Sequence, residues 1–351
     1  METFYVDTPR LRIHCWAWGP PDGTPLLAVH GNLTTGRFYR SVAEALPPGH
    51  RVVAPDLRAF GRTERKPVDA SRGLRDWSDD LRALLEQLGW AEGGRVHAVG
   101  WSLGGGVLQQ YLLDHARDLA TVTLLAPMSP CGFGGTKDVA GTLSAPDGAG
   151  SGGGAAAPDF VKRLAAGDAS EQDPVSAPRV VMRSFFWSPT FQAPDEDELI
   201  EEVLRTWVGD EGYPGSSVPS PHWPFIAPGE TGVNNALAPT YCDLTSLPDV
   251  DPRPPILWLR GDADQVVSDA SFFDLGTLGQ MGAVPGWPGE DAFPPQPMIA
   301  QTRRVLDRYR ERGGQVTEIL LEGCGHGPPV ERAEDVARRL ADHVAGGAVR
   351  S

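Results

Sequence analysis

A serine held between glycines, GWSLGG at residues 100–105, is the feature of this chain best suited to chemistry. A serine hydroxyl becomes a nucleophile only when a base takes its proton and a third group orients that base. Gly100 and Gly104 lack a Cβ, so an apolar strand can turn sharply into a helix with Ser102 strained at the apex. The turn pushes the hydroxyl out of the fold, and the helix aims its first amides at the place where an oxyanion would form. The spacing is weak evidence alone. With 42 glycines in 351 residues, chance supplies roughly a quarter of one such match, so the surroundings must decide. Of the eight histidines, His326 alone lies in a glycine-rich loop just past a terminal strand pattern. An imidazole there can swing towards the serine as a general base; a surface loop histidine is the alternative.

The elements that must position these residues are legible as alternating patterns. PLLAVH (25–30), RVVAPD (51–56) and VHAVGW (96–101) are short apolar runs before the serine, and TVTLLAP (121–127), PILWLRG (255–261) and VTEILLEG (316–323) follow it. Runs that are apolar throughout describe strands buried on both faces of a parallel sheet. Between them, residues 76–88 and 105–116 repeat apolar residues at three and four, the period of a helix packed on one side. Strand and helix alternate, which implies right-handed crossovers.

Five motifs in this order resemble the α/β-hydrolase family, in its serine esterase, lipase and lactonase branch with a helical cap. They are His30-Gly31-Asn32, DLRAFGRT at 56–63, GWSLGG, the Gly261-Asp262-Ala263-Asp264 turn and Gly325-His326, and they run along nearly the whole chain. The chain departs from the family pattern at Ala59, where a glycine is usual, and in having no proline after His30-Gly31. The resemblance implies a mostly parallel eight-stranded sheet flanked by helices, with the core in residues 1–130 and 250–351 and a mainly helical cap in 131–249. It also implies a Ser102, Asp264, His326 triad. Asp262 is the rival for the orienting acid and otherwise a turn residue capping backbone amides; an acid after the sixth strand is a further alternative. The oxyanion hole would use the backbone N–H groups of Leu103 and Asn32. His30 would order that loop, and His97 reads as buried structure.

Composition narrows the partners. The net charge of −15 opposes nucleic acid and anionic membrane surfaces, and no apolar run approaches the length that spans a bilayer. The start, with acids and arginines in its first dozen residues, reads as a β-hairpin instead of a signal peptide, which makes a cytoplasmic location the default. The oligomeric state, monomer or homodimer, is open. Four scattered cysteines form no C-x-x-C pair, so free thiols are expected. Cys324, two residues before His326, reads as packing beside the loop more readily than as a metal ligand.

Residues 132–158, rich in glycine, alanine and serine, read as a mobile loop leading into the cap. Helical patterns follow at 178–187 and 195–208, and the long connection 267–298 suggests a second flap over the site. Aromatic residues there, among them Phe133, Phe185, Phe186, Trp187 and Trp223, suit an apolar or ring-bearing substrate, although packing of the cap would also use them. Trp101 and His222 are further candidates for substrate contact. The chemistry expected is cleavage of a small-molecule ester or lactone through an acyl-enzyme, with no metal or organic cofactor required. Aspartate at the serine position, as in haloalkane dehalogenases and epoxide hydrolases of similar fold, is absent. A weakly active ligand-binding protein, or a cofactor-free dioxygenase, amidase or thioesterase of the same fold, is the alternative.

Overall fold

Six of the apolar runs become neighbouring strands of one eight-stranded sheet in the computed structural model, which describes residues 1–91, 93 and 96–348. The strands are β1 (Glu2–Asp7), β2 (Arg12–Trp18), β3 (Thr24–Val29), β4 (His50–Pro55), β5 (Val96–Trp101), β6 (Leu119–Leu125), β7 (Ile256–Gly261) and β8 (Val316–Leu321). Their order across the sheet is β1-β2-β4-β3-β5-β6-β7-β8. β1 and β2 pair antiparallel as a hairpin, β2 pairs antiparallel with β4, and all later pairs are parallel. β3, β5 and β6 lie in the interior; β5 and β6 are buried along almost their whole length and β3 from Leu26 onwards, as continuous apolar runs require. β8 departs from that reading. It is the last strand, only Leu321 in it is buried, and Glu318 ion-pairs there with Arg260 and Arg303.

Helices cover the sheet, with α1 (Arg40–Ala45), α2 (Arg75–Gln87) and α3 (Leu103–His115) in the first half of the chain. α2 buries Trp77, Leu81, Leu84 and Leu85 on one side, the spacing that its sequence announces. Between β6 and β7 the chain forms α4 (Pro158–Ala165), α5 (Pro178–Phe185), α6 (Glu196–Val203) and α7 (Val233–Ala236), with two small strand pairs. α6 stops at Val203, short of the expected 208, because Trp207 leaves the helix and its N–H donates to Ala59 O at 2.9 Å. After β7 come α8 (Leu275–Gln280), α9 (Met298–Glu311), α10 (Pro328–Glu331) and α11 (Ala333–Ala348). Among the described residues no helix is long and apolar enough to cross a membrane. The four cysteines are free and buried.

The glycine-rich stretch is where the sequence misleads. Residues 130–136 and 148–153 are largely buried and packed, whereas 137–144 between them are exposed or half-buried. Their lack of side chains is used for close approach. A Cβ on Gly150 would sit 2.5 Å from Phe293 Cζ, and one on Gly152 would sit 2.4 Å from Asn235 Oδ1. Both glycines have positive φ, 83° and 75°. Polar groups fix the same stretch: Asn235 Oδ1 accepts the Gly153 N–H at 2.7 Å, and Gln296 Oε1 accepts that of Gly134 at 2.6 Å. Low apolar content argues against a packed element, but close backbone approach to Phe293 and Asn235 packs these two segments.

Candidate active site

The C-terminal ends of β3, β5, β7 and β8 carry four loops that converge, the place where parallel sheets of this kind leave a crevice. β5 passes through Ser102 into α3, and the turn is tight enough to force Ser102 to φ 55° and ψ −116°. The flanking glycines are required by backbone contacts. A Cβ on Gly100 would lie 2.4 Å from Gly104 O, and one on Gly104 would lie 2.1 Å from Val29 O and 2.6 Å from His30 O. Backbone hydrogen bonds hold the strained residue: its N–H donates to Leu125 O at 3.0 Å, and its carbonyl accepts the N–H groups of Gly106 and Met128 at 3.1 Å. Gly104→Ala is therefore expected to lower the unfolding free energy by about 3 kcal/mol, since no flexible side chain can yield to the new methyl. A urea titration of the variant checks this, and an unchanged midpoint would refute it.

His326 lies in the loop between β8 and α10, and its Nδ1 is 2.9 Å from Asp264 Oδ2. The other oxygen, Oδ1, accepts the N–H groups of Val266 and Val267 at 2.8 and 2.9 Å, which fixes the carboxylate. Both side chains are buried. An Nδ1–H donating to that carboxylate leaves Nε2 as the ring's acceptor. Asp262 is engaged elsewhere: its Oδ1 accepts the Gly323 N–H at 2.6 Å, as a turn residue does. The Trp101 indole N–H donates to the His326 carbonyl at 2.6 Å, so the residue next to the serine grips the loop of the histidine.

The loop after β3 is braced from beneath. His30 Nε2 accepts the Leu57 N–H at 2.8 Å, which leaves the proton on Nδ1 to donate to Gly31 O at 2.8 Å. Burial holds this imidazole neutral, with its pKa pulled down to about 4. Thr34 Oγ1 donates to the same carbonyl at 2.9 Å. Asn32 Nδ2 donates to Asn234 Oδ1 at 3.1 Å, and Leu103 opens α3, where amides have no intrahelical acceptor. Ala59, where a glycine is usual, takes φ 73°, the left-handed conformation that explains the usual residue. His97 is structural in its contacts: Nδ1 meets Thr121 Oγ1 at 2.8 Å inside the sheet.

Ser102, His326, Asn32, Leu103 and Trp101 all border one cavity of about 290 Å³. One wall is aromatic, with Phe133, Phe160, Phe185, Phe186, Phe272 and Phe273; another is made of small residues, Gly134, Gly150, Ser151, Gly152 and Ala155–Ala157. Among the described residues, no Asp, Glu, Lys or Arg lines it. Of the residues expected to contact substrate, Trp101 and Phe186 do border the cavity. Trp187, His222 and Trp223 do not. Trp187 is buried against the glycines of the His326 loop, Trp223 packs on Phe293 and donates to Pro285 O, and His222 is exposed on the surface. Sequence reasoning missed Phe272, Phe273, Leu275 and Leu278, which line the cavity from the long connection after β7. The length of that connection was the available signal.

A family model described as the alpha/beta hydrolase fold matches residues 24–271, most of the chain. The chain belongs to the α/β-hydrolase fold family. This α/β hydrolase is 36% identical over 85 residues to a haloalkane dehalogenase of Mycobacterium marinum, a match covering 22% of this chain and 29% of that protein. It is 26% identical over 122 residues to a serine hydrolase-like protein of Danio rerio, covering 35% and 36% of the two chains. The matches thus span about a third or less of those curated relatives. Among solved structures, a putative aryl esterase from Burkholderia cenocepacia superposes with a TM-score of 0.62 at 20% identity, covering 99% of this chain and 100% of that one. That likeness is one of fold.

Proposed function

We propose that this α/β hydrolase is a serine carboxylic-ester hydrolase acting on neutral, apolar esters or lactones, with residues 131–249 serving as its cap. The observation that carries the reading is that a strained Ser102 and His326, itself held by Asp264, border one cavity that no Asp, Glu, Lys or Arg lines among the described residues. In the proposed cycle His326 Nε2 takes the Ser102 proton as Oγ attacks the carbonyl carbon. Asp264 holds the ring's tautomer and stabilises the imidazolium. The tetrahedral oxyanion rests on the N–H groups of Leu103 and Asn32. His326 returns the proton to the leaving alcohol, and water activated by the same ring releases the acid and frees Ser102.

The nucleophile separates this reading from the chemistry named by the dehalogenase relative. Displacement of halide from carbon by a serine would leave an alkyl ether, which water does not readily cleave, whereas acylation leaves a hydrolysable ester. A panel of esters and lactones, read by product mass, tests the proposal. Hydrolysis of apolar members supports it, and an absence of turnover across the panel overturns it.

Phe186 gives a finer check on the cavity. Its ring borders the cavity and stands edge-on to Trp101, with ring centroids 6.0 Å apart. Phe186→Ala removes apolar contact worth roughly 1.5–3 kcal/mol when filled by substrate. The expected result is a KM for an apolar ester raised about tenfold or more, measured by initial rates.

A further inference from the structure

The loop carrying His326 is held by groups outside the proposed triad. Gly325 and Gly327 flank the base, and a Cβ on either would strike Trp187, at 2.5 Å from its carbonyl carbon and 2.2 Å from its Cζ3 respectively. Glu331, at the end of α10, adds a polar clamp. Its Oε2 accepts the Gly325 N–H at 2.9 Å and the Ser188 N–H at 3.1 Å. Gly325 immediately precedes the base. Ser188 immediately follows Phe186 and Trp187, where the chain leaves α5 and the cavity wall.

We propose that Glu331 is a positioning residue for His326, and that its one carboxylate oxygen couples the placement of the base to the cavity wall carried by Phe186. The proposal rests on the hydrolase reading of Ser102, Asp264 and His326. Hydrogen bonds from N–H to a carboxylate are about twice as strong as neutral ones, and here two of them join segments 137 residues apart in sequence, 188 and 325. Glu331 does not border the cavity, so it cannot act by touching substrate. Its effect must pass through the loop. A substrate that fills the apolar cavity presses on Phe186, and the clamp carries that contact to the amide beside the base. Loss of the clamp is then felt most with large substrates.

The test compares Glu331→Gln, Glu331→Asp and Glu331→Ala in the full chain, with p-nitrophenyl acetate and p-nitrophenyl hexanoate as probes and fluorophosphonate labelling of Ser102 as a second readout. Gln keeps an oxygen acceptor at the same reach, whereas Asp is one methylene short. A base misplaced by about 1 Å costs on the order of 10²-fold, so Ala and Asp should lower kcat by about 30- to 100-fold. Labelling should slow in parallel, the KM for acetate should stay within about twofold, and the loss should be larger with hexanoate. Gln should restore kcat to within about threefold of the wild type. Wild-type kcat in Glu331→Ala, or a Gln variant as slow as Ala, overturns the proposal. If Glu331→Ala does not fold, equal rates in the Asp and Gln variants overturn it instead. A wild-type protein that neither labels nor turns over esters overturns the hydrolase reading itself, a different result from a labelled wild type matched by Glu331→Ala.

Discussion

Ser102→Ala should abolish fluorophosphonate labelling and reduce ester turnover by at least about 10⁴-fold, while leaving the fold intact. The substitution removes only one oxygen. The strain at φ 55° belongs to the backbone and is retained by the hydrogen bonds to Leu125, Gly106 and Met128. The variant should therefore match the wild type in its circular dichroism and urea midpoint to within about 1 kcal/mol. What it loses is the covalent route, because no acyl-enzyme can form without Oγ. Residual activity would reflect only the oxyanion donors and binding. Labelling that persists in the variant would move the nucleophile elsewhere and defeat the proposed cycle.

Asp264→Asn is the second large effect, with kcat expected to fall about 10³- to 10⁴-fold at unchanged KM. The side chain keeps its shape, but its relation to His326 changes. An amide nitrogen at the Oδ2 position is a donor facing Nδ1, and the ring answers by moving its proton to Nε2. The imidazole is then in the tautomer that cannot accept the Ser102 proton. If the amide instead presents its oxygen to the ring, its nitrogen faces the N–H groups of Val266 and Val267, which have donated to Oδ1. Neither orientation restores the native pattern. The partner experiment is Asp262→Asn, whose contact is to the Gly323 amide; it should change kcat by less than about threefold. Kinetics on the pair decides which aspartate orients the base, and equal losses in both would refute the assignment.

The parts of this protein that could be read from the chain were those governed by local rules. Interior strands are apolar throughout because both faces are covered, and the turn at Ser102 needs its glycines because Gly104 approaches Val29 and His30. Those two facts place four loops at one end of the sheet. The cavity wall was harder, since it depends on which surface meets which. Trp187 and Phe186 are adjacent and equally aromatic, yet one packs on the glycines beside His326 and the other faces the cavity. Nothing in their composition distinguishes them. The glycine-rich stretch misled for a related reason: its packing comes from distant partners, Phe293, Asn235 and Gln296, that its own sequence does not announce.

The absence of acidic and basic residues from the described cavity wall has a bearing on how a catalytic cycle would end. Hydrolysis turns a neutral ester into an acid that ionises at neutral pH. A carboxylate there, among phenylalanines and with no Lys or Arg beside it, keeps only the His326 ring and a few neutral polar groups as partners, so its loss of hydration, worth several kcal/mol, is only partly offset. The site that welcomes the substrate thus becomes inhospitable to the product at the moment of its release. Departure of the acid would be driven by its own charge, and accumulated product would compete poorly with fresh ester.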